Sequence, residues 1–452
     1  MIFNNYLPIY KTNETEHLSE KEESEYQKIK EELIQLKIND KNLNVETQEI
    51  EELMIEKSIK SPKIINKLTN DLKGYGKIDP LLKDDELEEI MIIGKNKPIY
   101  VYHRNKGMMI TEIILSEIEI KQIINKIANY VQRKIDNETP ILDARLPNGS
   151  RVNATIPPIT ADGSTVTIRK FKKEQLTILD LIKSNSISAN LAAFLWINID
   201  GLNVRPSNII ISGGTGSGKT TTLNTLTSFI PTQERIITIE DILELQIPQE
   251  HVIRTETRPP NIEGKGEINM DVLLKNSLRQ RPDRIIVGEV RSKEAITLFG
   301  ALNTGHSGMG TLHANSTQET ITRLINPPMN VPSVMINSID FIVMQNRIFH
   351  PTKGIIRRIT EVAEVVGMEM NKVQLNKIFQ YNYSEDKLEY TAISSKALTE
   401  IASMKGISMK EISKEIKKRE LYLIENSEKK RNNVYETKKI INDYYNSNLQ
   451  KL

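Results

Sequence analysis

Gly213-Gly214-Thr215-Gly216-Ser217-Gly218-Lys219-Thr220 is the stretch whose reading decides the fold. It matches the phosphate-loop pattern G-x-x-x-x-G-K-[ST]. Asn208 to Ser212 before it reads as a short buried strand. Thr220 to Ile230 after it reads as a helix, with Leu223, Leu226 and Phe229 three residues apart. Glycines there let backbone N–H groups turn toward phosphate oxygens, and the helix adds its positive amino end. Lys219 is placed to reach β- and γ-phosphates, and the Thr220 hydroxyl to bind Mg²⁺. Gly213 to Thr220, with Thr221 beside them, are the candidate nucleotide-binding residues. A plain glycine-rich turn would not need all eight positions and both flanks to agree.

Strand patterns then alternate with helices: Arg235–Ile239, Val252–Thr255, Arg284–Val287, Gly310–His313 and Asp340–Gln345. Such alternation predicts an α/β fold with a largely parallel sheet, over residues 207–370. Residues 61–173 read as an α+β domain. Strands are expected at Ile90–Ile93, Ile99–His103 and Met108–Ile113. An amphipathic helix follows on Ile120, Ile123, Ile124, Ile127 and Val131. Asn148-Gly149 and Asp162-Gly163 are turn signals between strand-like runs. Residues 174–206 read as a helical linker.

The ends differ in charge. Residues 1–60 carry eight Lys against fourteen Asp/Glu, and residues 371–452 carry sixteen Lys/Arg against eleven. The first 60 residues read as an acidic helical extension, with Tyr26, Ile29, Leu33 and Leu36 on one face and a second helix at Glu46 to Lys60. The last 82 read as a basic tail: a hairpin at Val373–Tyr381 and Lys387–Tyr390, then helices marked by Met409, Ile412 and Ile416 and by Val434–Tyr445. Net charge over the 452 residues is +2, which points to no particular partner. The chain has no cysteine, which excludes disulfides and thiolate metal sites. No apolar run approaches the ~20 residues of a membrane span, and the first residues show no signal peptide. The expectation is a cytoplasmic protein, touching a membrane only through a partner or its surface.

Ile285-Ile286-Val287-Gly288-Glu289 delivers a carboxylate to the edge of the sheet where the phosphate loop sits. Glu289 there can polarise an attacking water or order Mg²⁺ through its waters. Glu240 and Asp241 end another apolar strand, a second acidic position on that edge. His306 and His313 bracket Ser307-Gly308-Met309-Gly310-Thr311-Leu312. Without a His-Glu-x-x-His pattern or cysteine, His313 reads as a hydrogen-bonding sensor near the γ-phosphate rather than a metal ligand. Arg254 and Arg258 read as surface cations.

These boxes, in this order, resemble the ATPases of type II and type IV secretion systems and of type IV pili. Within that group the chain looks like the tight-adherence pilus ATPases and their archaeal relatives. The phosphate loop, Ile239-Glu240-Asp241, residues 285–289 and residues 305–315 carry the resemblance. Asp143 to Asn153, Thr167 to Phe171, Arg281 to Arg284 and Gly288 to Arg291 also look like this branch. The match covers about residues 60–370. It implies a RecA-like P-loop domain, a PAS-like sheet before it, and a homo-hexamer using ATP and Mg²⁺. It implies that Arg151 and Arg169, with Arg145 as a third candidate, reach the phosphates from the first domain. It implies Glu289 as the water activator, Glu240 as its helper and His313 as the sensor. It further implies an integral-membrane platform protein as partner, with pilin-like subunits moved indirectly, at the cytoplasmic face of the membrane. The loop after His306 is one residue shorter than in that branch. Two other readings stand beside this one. One is a RecA-type motor for DNA transfer, resting on the basic tail around Ile407 to Ile412, although the overall charge makes nucleic acid an unlikely partner. The other is a nucleotide-gated scaffold without turnover.

Overall fold

Two compact units, Met1–Lys173 and Glu174–Leu452, each form around their own sheet. The computed structural model describes residues 7–11, 19–39, 61–72, 74–171, 175–260, 264–350, 352–370, 372–429 and 433–448.

In the first unit, seven strands run in the order β1-β4-β3-β2-β7-β6-β5. They are β1 (Ile9–Tyr10), β2 (Leu87–Ile92), β3 (Pro98–His103), β4 (Gly107–Ile114), β5 (Ile141–Arg145), β6 (Arg151–Thr155) and β7 (Thr165–Arg169). β1 joins β4 in parallel; the other pairings are antiparallel. Helices α1 (Glu20–Asn39), α2 (Pro62–Leu72), α3 (Asp79–Lys83) and α4 (Glu117–Tyr130) complete the unit. α4 starts in a capping box: the Ser116 side chain accepts from the Glu119 N–H while the Glu119 carboxylate accepts from Ser116. Its apolar face, Ile120, Ile123, Ile124 and Ile127, is buried in one cluster with Ile90, Val101, Val152 and Ile168 of the sheet. The expected strands and the Asn148-Gly149 turn are in place; Gly149 has φ +87°. Tyr26 and Ile29 are buried on α1. The helix expected at Glu46 to Lys60 lies outside the described residues.

The second unit holds a nine-stranded sheet, β10-β9-β11-β12-β8-β13-β14-β15-β16. Its strands are β8 (Ile209–Ser212), β9 (Ile236–Glu240), β10 (Val252–Glu256), β11 (Arg284–Val290), β12 (Ser307–Leu312), β13 (Phe341–His350), β14 (Gly354–Glu369), β15 (Lys372–Asn382) and β16 (Lys387–Tyr390). β8 to β13 pair in parallel, and β13 to β16 form an antiparallel meander. The helices are α5 (Ile178–Lys183), α6 (Ala189–Asp200), α7 (Lys219–Leu226), α8 (Met270–Ser277), α9 (Glu294–Asn303), α10 (Thr317–Ile325), α11 (Lys396–Lys405), α12 (Met409–Ser427) and α13 (Val434–Asn448). Successive strand residues face opposite sides. Ile209 and Ile211 therefore enter one core with α5, α6, α7 and the last three helices, and Ile210 enters another with α8, α9 and α10. Both faces are covered, which is why these strands read as unbroken apolar runs.

Three expectations change. The segment 174–206, expected as a helical linker, is helical but packed into the second unit: Leu191 to Asp200 are buried, and Trp196 stacks on Phe229 with ring centroids 5.0 Å apart. The basic segment from residue 371 is not a separate tail. β15 and β16 extend the sheet, and Leu398, Ile401, Ile412, Leu423 and Ile441 share the α6 core. Its charges are partly internal. Arg419 is 1% exposed, donates to Asp200 at 2.6 Å and to Glu415 at 2.9 Å, and lies 4.8 Å from the Trp196 ring. Ile412, in the stretch on which the DNA-transfer reading rests, is inside that core. Finally, strand β12 begins at Ser307, directly after His306 and three residues ahead of the strand expected at Gly310–His313. Gly308 and Gly310 sit inside it, because a Cβ at Gly308 would stand 2.8 Å from Leu302 Cδ2 and 2.9 Å from Ile285 O.

Candidate functional site

The Gly213–Thr220 turn leaves the carboxyl end of β8 and enters α7. Gly218 caps α7 at φ +97°, a left-handed conformation that favours glycine, and offers no side-chain cap. The first N–H groups of a helix lack intrahelical acceptors, so they remain available to an anion. A Cβ at Gly213 would stand 2.0 Å from Gln345 O on β13, so only glycine fits between the loop and that strand. Ser217 Oγ donates to Gly214 O at 2.9 Å and holds the turn closed. Lys219 Nζ curls back to Gly214 O at 3.0 Å and lies 3.4 Å from His313 Nδ1. The Lys219 side chain is buried, and that desolvation lowers its pKa.

His313 follows β12, the strand between β8 and β11. Its Nε2 lies 2.9 Å from Glu289 Oε1, an ion-pair distance without the alignment of a hydrogen bond. Burial lowers the His313 pKa, so the ring is neutral at pH 7. The arrangement assigns the tautomer: Nδ1 accepts from the Lys219 ammonium, and Nε2 carries the proton toward Glu289. The other Glu289 oxygen accepts from Arg291 NH2 at 2.5 Å, and Arg291 NH1 reaches Asp241 at 3.0 Å.

Glu240 lies on β9 beside Gly288, where a Cβ would meet its Cγ at 3.1 Å; the glycine makes room for the carboxylate. Glu240 is 2% exposed. One oxygen accepts from the Glu244 and Leu245 N–H groups at 2.7 and 2.9 Å. The other is buried without a donor. Burial raises its pKa.

The second unit thus brings Lys219, His313, Glu289 and Glu240 to one edge of its sheet, beside the glycine turn and the first residues of α7, Thr220 and Thr221 among them. His306 is left out. It sits at the opposite end of β12, against Ala301 O at 3.3 Å. The two histidines cannot share a metal, and no cluster of metal ligands occurs among the described residues. Arg254 is exposed on β10, and Arg258 donates to Gly266 O. In the first unit, Arg145, Arg151 and Arg169 are direct cross-strand partners in one row over β5, β6 and β7. Arg169 also pairs with Glu89 at 3.1 Å. Sequence reasoning assigned no role to Arg291, nor to Gln345, Arg347 and Arg357, which border the loop from β13 and β14. No local motif marks these last three, since strand register alone places them there.

A family model described as type II/IV secretion system protein matches residues 71–443. An uncharacterized protein of Methanocaldococcus jannaschii is 53% identical over 236 residues, which is 52% of this chain and 33% of that protein. The chain therefore spans only a third of that relative's length. Conjugal transfer protein TrbB of Rhizobium radiobacter is 31% identical over 323 residues, covering 69% of this chain and 94% of its own. The X-ray structure of the Legionella pneumophila ATPase DotB is 22% identical with a TM-score of 0.45, covering 62% of this chain and 78% of that one.

Proposed function

The chain belongs to the type II/IV secretion system protein family, and we propose that it is an ATP-hydrolysing motor for protein secretion or pilus assembly. The observation that carries this reading is the line Lys219–His313–Glu289 at the edge of the sheet where the glycine turn opens.

The residues fit a nucleoside triphosphate with Mg²⁺. The uncapped start of α7, Lys219 and the Thr220 hydroxyl are phosphate and metal partners, and Glu240 keeps a buried oxygen without a donor. Mg²⁺, held by Thr220, would neutralise charge on the β- and γ-phosphates. Lys219 leaves Gly214 O to bind those oxygens. Glu289, released from Arg291, orients the attacking water and draws its proton. Glu240 positions that water or the metal's waters. His313, touching both Lys219 and Glu289, senses whether the γ-phosphate is present. Positioning and charge neutralisation of this kind do most of the work in phosphoryl transfer.

We read the second unit as RecA-like and the first as PAS-like, with the Arg145–Arg151–Arg169 row supplying phosphate contacts. The nucleotide cycle would drive motion of one unit against the other. In a homo-hexamer, successive motions would act on an integral-membrane platform protein at the cytoplasmic face and so move pilin-like subunits. No described helix is long and apolar enough to cross a membrane. The conjugal-transfer name of one relative supports a second reading, a motor for DNA transfer.

The test is Mg²⁺-dependent ATP turnover of the purified chain, with the platform protein or DNA added and mass measured in the same sample. Turnover by a hexamer, raised by the platform protein, is the expected result. Turnover raised only by DNA favours the second reading. No turnover under any condition leaves the nucleotide-gated scaffold.

A further inference from the structure

We propose that the β13–β14 hairpin forms a second wall of the nucleotide site, with Arg347 and Arg357 contacting the phosphate chain from the same chain as the loop. This rests on the nucleotide reading above and adds residues to it.

The geometry follows from register. β13 runs parallel to β8 with Met344 opposite Ser212, so Gln345 is the first residue beside Gly213. β8 ends there and turns into the loop, whereas β13 continues to His350. The hairpin therefore projects past the edge of the parallel sheet, alongside the loop. Arg347 and Arg357 are direct cross-strand partners, so both side chains leave the same face, the one that carries Gln345.

Each of the three side chains meets the loop. Arg357 Nε donates to Gly216 O at 2.9 Å. Arg347 NH1 stands 3.7 Å from where a Cβ on Gly216 would be. Gln345 Nε2 stands 3.2 Å from the same position on Gly218. Both guanidiniums are exposed, and among the described residues neither has an ion-pair partner. Two adjacent arginines without a carboxylate form a local excess of positive charge at the turn, and arginine is well matched to phosphate.

Gln345 supplies an independent observation. It is 2% exposed, and its Oε1 is buried with no donor. A buried amide oxygen without a donor is costly, and such groups commonly mark a missing ligand or water. The amide has two donors and an acceptor that can exchange places. As placed, Nε2 is the amide atom nearest the loop, and it offers an N–H to a phosphate oxygen or to its water.

The test is calorimetric binding of ATP, ADP and AMP to the full chain and its variants, with Lys219→Ala as reference. Arg347→Ala and Arg357→Ala should each weaken ATP about tenfold, as expected for one charged hydrogen-bonding partner. The loss should shrink from ATP to AMP, and Arg347→Lys should recover part of it. Circular dichroism melts should match the wild type; should Arg357→Ala fail to fold, Arg347→Ala and Arg347→Lys carry the test. An equal loss for all three nucleotides would mean that the arginines only hold Gly216, and overturns the inference. ATP binding within twofold of wild type, alongside loss in Lys219→Ala, overturns it while leaving the nucleotide site standing. No nucleotide binding by the wild type overturns both.

Discussion

His313 Nε2 stands 2.9 Å from Glu289 Oε1, and His313 Nδ1 stands 3.4 Å from Lys219 Nζ. One imidazole thus bridges the lysine of the phosphate loop and the carboxylate assigned to water. Glu289→Gln preserves shape and removes the charge. It should bind ATP near wild-type affinity and turn over about 10²–10³-fold more slowly, as when one transition-state partner is lost. A nucleotide titration beside a phosphate-release assay checks it; lost ATP binding would reassign Glu289 to metal or loop support.

Lys219→Ala removes the ammonium that Gly214 O and His313 hold. Turnover should fall to background in a phosphate-release assay, with the thermal midpoint little changed or raised, since Lys219 is a buried cation whose pKa burial depresses. Retained turnover would sink the site assignment.

His313 titrates below its ordinary value because burial disfavours the imidazolium. At neutral pH the ring is neutral and accepts from Lys219. As pH falls through its lowered pKa, the ring gains a proton and a charge beside the ammonium. The acid limb of kcat should therefore lie below pH 6.5 and flatten in His313→Gln. A pH–rate profile of both proteins decides this.

Arg419 sits among Trp196, Asp200, Glu415 and Tyr444 with almost no exposure. Arg419→Met leaves two buried carboxylates without their cation. It should destabilise the second unit by about 3–5 kcal/mol, read from urea unfolding. A change under 1 kcal/mol would mean that water reaches this cluster.

Lys438 donates to Ser228 O and Ile230 O, just beyond α7, and burial lowers its pKa to about 8. The unfolded chain holds this proton up to its ordinary value near 10.5. Between those values the unfolded state binds more protons, so this lysine's contribution to stability rises with pH from about 8 to 10.5. Lys438→Met should lose that rise in unfolding experiments across the window.

Much of the site was legible because its parts are local. A glycine turn between an apolar run and a helix names itself, and so does a carboxylate ending Ile285-Ile286-Val287-Gly288. Two kinds of information were not local. Register decides that Gln345 meets Gly213, and nothing in Asp340 to Gln345 announces it. The burial of Arg419 and Lys438 depends on partners more than 200 residues away in sequence, Asp200 and Ile230. A residue count read their segment as a basic tail because a lysine or arginine is usually solvated. Nor does the sequence announce that β12 begins as early as Ser307: Gly308 is there for close approach to Leu302 and Ile285 inside the strand.

The union of α11, α12 and α13 with the α6 core has a practical side. A minimal nucleotide module cut before Lys396 would look complete by motif. It would uncover a wide greasy groove over Trp196 and Phe194, strand the Asp200 carboxylate at its floor, and leave the carbonyls of Ser228 and Ile230 without their ammonium. Such a fragment would clump or lose its shape before its chemistry could be judged, and a silent assay on it would report the missing helices rather than the catalytic edge.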